Sequence, residues 1–384
     1  MFILELIVHT KIGSFILINW CSLLIKMGFY EKLPYTIDYS DGLNKNGLNN
    51  DIVSKCISNY SLIVESKERP LLSHQWEEIN NNFEKYNLYE SLNNFRRNEL
   101  SIIGTSVASF LAVNKSSSND INAALNIKKD KNIYLDEFGT KKSYQLAQRV
   151  FNYYLRECRG IRHDLLEYIN EDYIGGAICV KYKGRRITRN IIKYVHALET
   201  ITCNIKPSYF NNAVICEIGG GYGGLMKLIK FRFPLSTVIL LDVPQTLVLA
   251  NFYLASSFPE AKVGTIENFI FEDGDISKDK LLKFDIVLLP WWYIEKIERD
   301  AINIYTNISS FQEMTKGFID YYINHIERTL SGYLYFRNRL QAPDHYGGVN
   351  FNDYPFDNNW HICYSDESLG MVELIAQRNC QNGQ

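Results

Sequence analysis

Five short, nearly continuous apolar runs in the second half of the chain constrain its fold more than any other feature. The runs are AVICEI (213–218), STVILLD (236–242), FDIVLLP (284–290), AINIYTN (301–307) and GYLYFRN (332–338). Strands that are buried on both faces of a sheet have unbroken apolar sequences of this kind. Stretches with helical periodicity separate the runs, so we expect a Rossmann-like α/β fold with a doubly wound, mostly parallel sheet.

A glycine-rich segment follows the first of these predicted strands and precedes a predicted helix. Residues 217–224 read Glu-Ile-Gly-Gly-Gly-Tyr-Gly-Gly. Glycine allows positive φ angles, and because it has no Cβ it lets backbone N–H groups approach a ligand closely. Between a strand and a helix, this segment therefore predicts a loop that binds a cofactor.

Two kinds of cofactor fit the spacing of the glycines. Gly219, Gly221 and Gly224 satisfy the GxGxxG pattern of dinucleotide-binding domains. Glu217, together with Gly219, Gly221 and Gly223, satisfies the acidic-x-Gly-x-Gly-x-Gly pattern of domains that bind S-adenosylmethionine (SAM). A carboxylate at this place would pair with the ammonium group of SAM but would repel a pyrophosphate. We therefore favour SAM, and an NAD(P)-dependent oxidoreductase is the alternative.

Two more positions belong to the predicted cofactor site. Asp242 ends the second predicted strand, 18 residues after Gly224, where its carboxylate would accept the ribose hydroxyls of either cofactor. Trp291 follows the third predicted strand, where its indole would stack on an adenine ring. The alternatives for this tryptophan are core packing or a platform for the substrate.

Four segments of the chain resemble the sugar O-methyltransferases encoded among bacterial surface-polysaccharide genes. They are EIGGGYGG (217–224), LLDVPQTL (240–247), NISSFQEM (307–314) and, more weakly, KGRRITRNIIKY (183–194). The third segment is the most specific, since the glycine loop is common to SAM enzymes in general, and its Asn307 is included in the predicted cofactor site. The resemblance covers roughly residues 140–378. It implies transfer of the SAM methyl group to a hydroxyl of a sugar or glycan acceptor.

A sugar hydroxyl is a poor nucleophile at neutral pH and needs a base to accept its proton. The candidates are Glu313, after the fourth predicted strand, and His345, after the fifth, because ligands bind at the carboxyl ends of such strands. Alternatively, Glu313 would form a capping box with Ser309 or Ser310, and His345 would be a surface residue. No residues have the spacing of a metal site, and metal dependence stays open.

The chain divides in sequence character near residue 205. We predict a mostly helical N-terminal region over residues 27–204 and a SAM-binding domain over residues 205–384. Within residues 1–26, the apolar run from Ile12 to Ile25 is shorter than the roughly 20 residues that a membrane span needs. We expect this first segment to be an over-extended start, a loose tail or a membrane-associating helix.

Composition limits the classes of partner and compartment. The net charge is −2 and the pI is near 6.4, so the basic excess of a nucleic-acid binder is absent from the sequence. The eight cysteines are scattered without a CxxC pair, which favours a reducing cytoplasm. Association into homo-oligomers stays open. The non-enzymatic alternative to a methyltransferase is a catalytically inactive SAM-binding scaffold.

Overall fold

The computed structural model describes residues 10–40, 50–66, 83, 87–97, 139–158, 160–270, 274–342, 348–356, 360–368 and 370–378. The helices there are α1 (Lys11–Met27), α2 (Asn50–Glu65), α3 (Leu88–Ser91), α4 (Lys141–Glu157), α5 (Arg189–Asn204), α6 (Gly224–Arg232), α7 (Pro244–Ser257), α8 (Lys278–Leu281) and α9 (Lys316–Thr329). The strands are β1 (Thr36–Asp38), β2 (Cys179–Tyr182), β3 (Arg185–Ile187), β4 (Val214–Ile218), β5 (Thr237–Asp242), β6 (Val263–Gly264), β7 (Ile286–Pro290), β8 (Ile302–Ile308), β9 (Leu330–Arg339), β10 (Trp360–Ser368) and β11 (Met371–Arg378).

The chain forms two compact units. The first comprises Met1–Asn49 and Asn87–Glu199, and the second comprises Asn50–Tyr86 and Thr200–Gln384. The second unit thus contains helix α2, which lies far upstream of the rest of that unit in sequence. The boundaries expected from the sequence, after residues 26 and 204, stay predictions.

In the first unit, α1 packs along α4. Thr10 caps the first turn of α1, and Gly28 ends the helix in a left-handed conformation. On α4, the side-chain amide of Gln148 donates hydrogen bonds to the carbonyl of Ile18 (3.0 Å) and to the hydroxyl of Ser22 (2.8 Å). From residue 10 onward, the N-terminal segment therefore forms a capped helix that packs on α4. Among the described residues, no helix combines the length and the apolar character needed to cross a membrane.

A small antiparallel sheet of β1, β2 and β3 also lies in the first unit, and the sequence patterns did not predict it. The N–H of Glu171 donates to the carbonyl of Arg186 in β3 (2.8 Å). The carboxylate of Glu171 is buried and accepts hydrogen bonds of 2.7 and 2.6 Å from the guanidinium of Arg96. Thr188 donates to the same carboxylate and accepts the N–H of Ile191, which caps the start of α5.

The second unit is built on an eight-stranded sheet of described residues, in the order β10-β11-β9-β8-β4-β5-β7-β6. The five predicted runs form β4, β5, β7, β8 and β9, and these strands pair in parallel. Strand β11 pairs antiparallel with β9, and β10 pairs antiparallel with β11. Strands β4, β5 and β7 are buried throughout, as their unbroken apolar sequences predict. The prediction of a Rossmann-like, mostly parallel sheet is confirmed.

The direction in which strands are added to the sheet reverses at β4. The chain proceeds outward from β4 through β5 to the edge strand β6, places β7 between β5 and β6, and then returns to β8 on the other side of β4. Ligands of doubly wound sheets bind at the carboxyl ends of the strands beside such a switch point. The segments 217–224 and 307–314 begin in the last residues of β4 and β8, so the topology brings both to this point.

Helix α2 covers α7 within the second unit. Residues Cys56, Asn59 and Ile63 of α2 and residues Leu247 and Asn251 of α7 line the same small cavity. Helix α7 is apolar on nearly all sides, and every residue from its start to the end of its third turn is buried. A helix with this composition needs cover on the face that points away from the sheet, and α2 contributes to that cover.

Candidate active site

The glycine loop follows a path that side chains would obstruct. Gly219, Gly221 and Gly223 have φ angles of +65°, +62° and +85°. A Cβ atom on Gly219 would overlap the hydroxymethyl group of Ser310, which follows β8. The loop therefore needs glycine both for its backbone conformation and for its close approach to the next element of the site. Its N–H groups lie at the switch point of the sheet, where a cofactor is expected.

Glu217 lies beneath this loop, near the end of β4. Its side chain is 1% exposed. A Cβ atom on Gly220 would overlap its carboxylate oxygen Oε2, so the carboxylate lies directly against the loop backbone. This position suits an acidic group that binds a cationic part of a cofactor held by the loop, and that role stays a prediction.

Asp242 ends β5 and connects it to the loop. Its carboxylate accepts hydrogen bonds from the N–H groups of Gly221 (3.0 Å) and Val243 (2.7 Å). Burial raises the pKa of Asp242 to about 7, while these N–H groups and the hydroxyl of Thr246 act in the opposite direction. A carboxylate can accept about four hydrogen bonds, so beside these three donors one position stays open for a ribose hydroxyl.

Trp291 is packed among aromatic side chains. It opens the 3₁₀ turn after β7, and only 5% of it is exposed. Its ring makes edge-to-face contacts with Trp292, Phe318 and Tyr321, at centroid separations between 5.3 and 5.6 Å. Within the described part of the chain, its indole N–H has no hydrogen-bond acceptor. The contacts of Trp291 are therefore those of a residue packed in the core. Its stacking on an adenine ring stays a prediction.

Asn307 connects three elements at the end of β8. Its side-chain amide donates a hydrogen bond to the carbonyl of Ile218 at the end of β4 (2.8 Å). Its side-chain oxygen accepts hydrogen bonds from the amide of Asn338 in β9 (2.8 Å) and from the N–H of Phe311 (3.4 Å). Both polar atoms of this fully buried side chain are engaged within the protein, so Asn307 holds the end of β8 against β4 and β9, and its contact with a cofactor stays a prediction.

The segment after β8 forms one 3₁₀ turn, Phe311–Glu313. The backbone N–H of Gln312 donates a hydrogen bond to the side-chain oxygen of Asn338 (3.3 Å). The side-chain oxygen of Gln312 accepts a hydrogen bond from the backbone N–H of Arg339 (3.0 Å). Glu313, the third residue of the turn, is half-buried. The side chain of Ser310 makes no capping hydrogen bond to this turn, and a capping box of Glu313 with Ser309 stays a prediction. The turn is held by the asparagine and glutamine side chains.

His345 lies outside the described residues, and its role as a base stays a prediction. The described residues on either side are close to the turn, since a Cβ atom on Gly348 would overlap the carbonyl of Gln312 and would lie 2.9 Å from the Cβ of Ala342. The described residues contain no group of three or more His, Cys, Asp or Glu side chains placed to hold a metal ion.

Sequence reasoning missed Tyr322 of α9 and Ser310. Tyr322 is buried, and burial followed by the nearby carboxylate of Asp242 raises the pKa of its phenol well above the ordinary value. The ring of Tyr322 stacks on Phe311 in the turn after β8 (5.7 Å between centroids), so helix α9 reaches this side of the sheet, and the aromatic residues in its first turns are the signal that could have revealed this. Ser310 stands in the most specific matching segment, but its contact with Gly219 depends on the relative path of two loops.

In a comparison with known families, the chain matches the family described as the O-methyltransferase domain. The match covers residues 196–311, a segment that contains the glycine loop, Asp242, Trp291 and Asn307. A comparison with curated protein sequences finds no match.

Solved methyltransferase structures also show a partial similarity. Magnesium protoporphyrin IX methyltransferase from Synechocystis PCC 6803 with bound SAM is 10% identical over 48% of this chain and 79% of that chain, with a TM-score of 0.33. The pyocyanin biosynthetic protein PhzM is 13% identical over 50% of this chain and 57% of that chain, with a TM-score of 0.32. The mitomycin 7-O-methyltransferase MmcR is 14% identical over 49% and 57%, with a TM-score of 0.30. Similarity at this level identifies no substrate, and the fold assignment rests on the strand order.

The family match and the geometry of the loop agree on the cofactor. The positive-φ glycines leave room for a ligand against the loop backbone, the Glu217 carboxylate is buried against that loop, and the Asp242 carboxylate lies beside it. These groups fit SAM, whereas a pyrophosphate would face the Glu217 carboxylate. Residues 196–311 thus match the O-methyltransferase domain, and the cofactor of this site is S-adenosylmethionine.

Proposed function

We propose that this protein methylates a hydroxyl of a sugar, either activated or within a glycan, in the biosynthesis of surface polysaccharides. The observation that carries the proposal is the contact between Ser310, in the NISSFQEM segment, and Gly219 in the cofactor loop. NISSFQEM is the segment most specific to the sugar O-methyltransferases that the sequence resembles. It thus lies next to the glycine loop, the proposed cofactor-binding segment. A residue on that segment is well placed to act on an acceptor.

In this proposal, Glu217 binds the ammonium group of the cofactor, Asp242 accepts its ribose hydroxyls, and the N–H groups of the glycine loop line its binding site. When bound, SAM supplies a methyl group on a positively charged sulfur, which is transferred by in-line displacement. Catalysis of such a transfer rests mainly on holding the acceptor oxygen in line with the methyl group.

Glu313 is the proposed base that takes the proton from the acceptor hydroxyl, with His345 as the second candidate. The 3₁₀ turn that carries Glu313 is fixed by Asn307, Gln312 and Asn338. A carboxylate on a turn held in this way can keep one position relative to the cofactor. Asn307 and Asn338 would then be positioning residues for the base.

The test is a methyl-transfer assay of the full chain with SAM and a panel of acceptors, read by mass spectrometry. The panel contains nucleotide-activated hexoses and deoxyhexoses, with simple phenols as non-sugar acceptors. A methylated sugar supports the proposal. Methylation of a phenol with no sugar product would contradict the assignment of the acceptor.

The role of Glu313 is tested in the same assay. Glu313→Gln should lower kcat by about 10²- to 10⁴-fold and leave the affinity for S-adenosylhomocysteine unchanged, because the base acts only on the acceptor. Asp320→Asn, which removes a carboxylate from an ion pair on α9 with partly exposed side chains, is the matched control and should keep wild-type turnover. Wild-type turnover of Glu313→Gln would exclude Glu313 and leave His345→Gln as the next variant to test.

A further inference from the structure

Helix α1 presents a continuous apolar face to solvent. Six large side chains on this face are between 46% and 74% exposed: Ile12, Phe15, Ile16, Trp20, Leu23 and Met27. Their spacing of three or four residues puts them on one side of the helix. The opposite side packs within the first unit, where Cys21, Leu24 and Ile25 are buried. The helix is therefore apolar on both sides, and only one side is used in the fold.

The size of this face is unusual for a surface that meets only water. With roughly 200 Å² for each whole side chain, the exposed part of the six is on the order of 700 Å². The largest apolar patch on a typical monomer is roughly 300–600 Å² and often functional. The orientation of the face is also fixed, because Gln148 of α4 binds the opposite side of α1 through Ile18 and Ser22.

The charges of α1 indicate what binds there. Its only charged residues are Lys11 and Lys26, one at each end, and both are exposed. A second copy docked antiparallel on this face would bring Lys11 towards Lys26 of its partner, and a parallel copy would bring like lysines together. The helix has no carboxylate to pair with them. A surface with negative charge and an apolar interior complements both the lysines and the apolar side chains.

We propose that α1 docks on an anionic membrane surface. The helix lies in the plane of the membrane, with its six apolar side chains inserted at the boundary between headgroups and acyl chains, and with Lys11 and Lys26 at the level of the phosphates. The protein is then held at the membrane surface without spanning it. This placement does not depend on which hydroxyl the enzyme methylates.

The test is co-sedimentation of the full chain with vesicles of phosphatidylcholine alone and of phosphatidylcholine with 30% phosphatidylglycerol. We expect binding to the anionic vesicles that is at least tenfold tighter than to the neutral ones and that weakens in high salt. Phe15→Ser with Trp20→Ser should lower the partition coefficient at least tenfold, since both side chains are exposed and their loss does not disturb the core. Lys11→Gln with Lys26→Gln should remove the preference for anionic vesicles.

The matched control is Leu235→Ser, which removes an apolar side chain that is 73% exposed in the second unit. It should leave vesicle binding unchanged. The proposal is overturned by an absence of binding to either vesicle, or by binding that the α1 variants do not change. It is also overturned if the wild type forms dimers that Phe15→Ser with Trp20→Ser dissociates while vesicles bind neither protein, because the face would then be an interface between copies.

Discussion

Asp242 has a structural role in addition to its proposed role in binding the cofactor. Its oxygens accept the N–H groups of Gly221 and Val243, which tie the glycine loop to β5. Burial raises its pKa to about 7, so the free protein holds this carboxyl partly protonated at neutral pH. Ribose hydroxyls that donate to the carboxylate would stabilise its ionised form and lower the pKa again.

The affinity for S-adenosylhomocysteine should therefore rise about tenfold from pH 6 to pH 8, because below pH 7 a proton must leave Asp242 when the ligand binds. Titration calorimetry across this range measures the effect. Asp242→Asn should bind more weakly and with no dependence on pH, and a wild-type affinity that is constant over the range would contradict the assignment.

The stability of the free protein should have the opposite dependence on pH. The folded pKa of Asp242 lies above its ordinary value of 3.8. The contribution of this group to the free energy of unfolding is therefore complete below about pH 4 and is lost as the pH rises through 7.

The positions of site residues at the ends of strands could be predicted from the sequence. The contacts that these residues make with distant segments could not be predicted. Glu217 and Asp242 lie at or near the ends of β4 and β5, as the apolar runs that precede them predict. Asn307 is predicted to bind the cofactor, and its hydrogen-bond partners within the protein lie in β4, in β9 and in the following turn. Nothing in the local sequence indicates those partners, because they are brought together only by the order of strands.

At the scale of elements, the loops after β4 and β8 depend on each other. A Cβ atom on Gly219 would overlap Ser310, and the φ of Gly219 is +65°. Gly219→Ala should lower the free energy of unfolding by about 2–4 kcal/mol through this overlap and through backbone strain. It should also weaken the binding of S-adenosylhomocysteine, since the loop must move.

Addition of Ser310→Gly to Gly219→Ala removes the overlap but not the strain, and it should recover about half of the lost free energy of unfolding. Thermal and denaturant unfolding of the two single variants and the double variant measure the recovery. A double variant that is no more stable than Gly219→Ala would show that the overlap with Ser310 does not cause the loss of stability.

The more deeply a strand is buried, the more clearly the sequence predicts it. Strands β4, β5 and β7 are buried throughout, and their continuous apolar sequences identified them. Strand β10 has mostly exposed residues at the edge of the sheet, and the sequence gives it little apolar pattern. Strands β1 and β3 have three residues each, too few to show a period, and β1 pairs with a strand that lies far downstream in the chain.

At the scale of the molecule, the cofactor-binding unit contains a helix from the first part of the sequence. Ile63 of α2 is buried and lines a cavity with residues of α7. Ile63→Ala should therefore lower the stability of the second unit by about 2–4 kcal/mol, although it lies outside the predicted SAM domain. The affected unfolding transition is the one that S-adenosylhomocysteine shifts to higher temperature.

Lys55→Ala, an exposed substitution on the same helix, is the control and should leave that transition unchanged. If Ile63→Ala lowered only a transition that the ligand does not shift, α2 would not stabilise the cofactor-binding unit.

The central claim, that this protein binds SAM through Glu217 and the glycine loop, is tested most directly by calorimetric titration of the full chain with S-adenosylhomocysteine, NADH and NADPH. We expect micromolar binding of S-adenosylhomocysteine alone. Glu217→Gln should weaken it by about 1.5–3 kcal/mol, and Glu260→Gln, an exposed carboxylate of the same unit, should not change it. Binding of a nicotinamide cofactor alone would contradict the account, and wild-type affinity of Glu217→Gln would remove this carboxylate from the site.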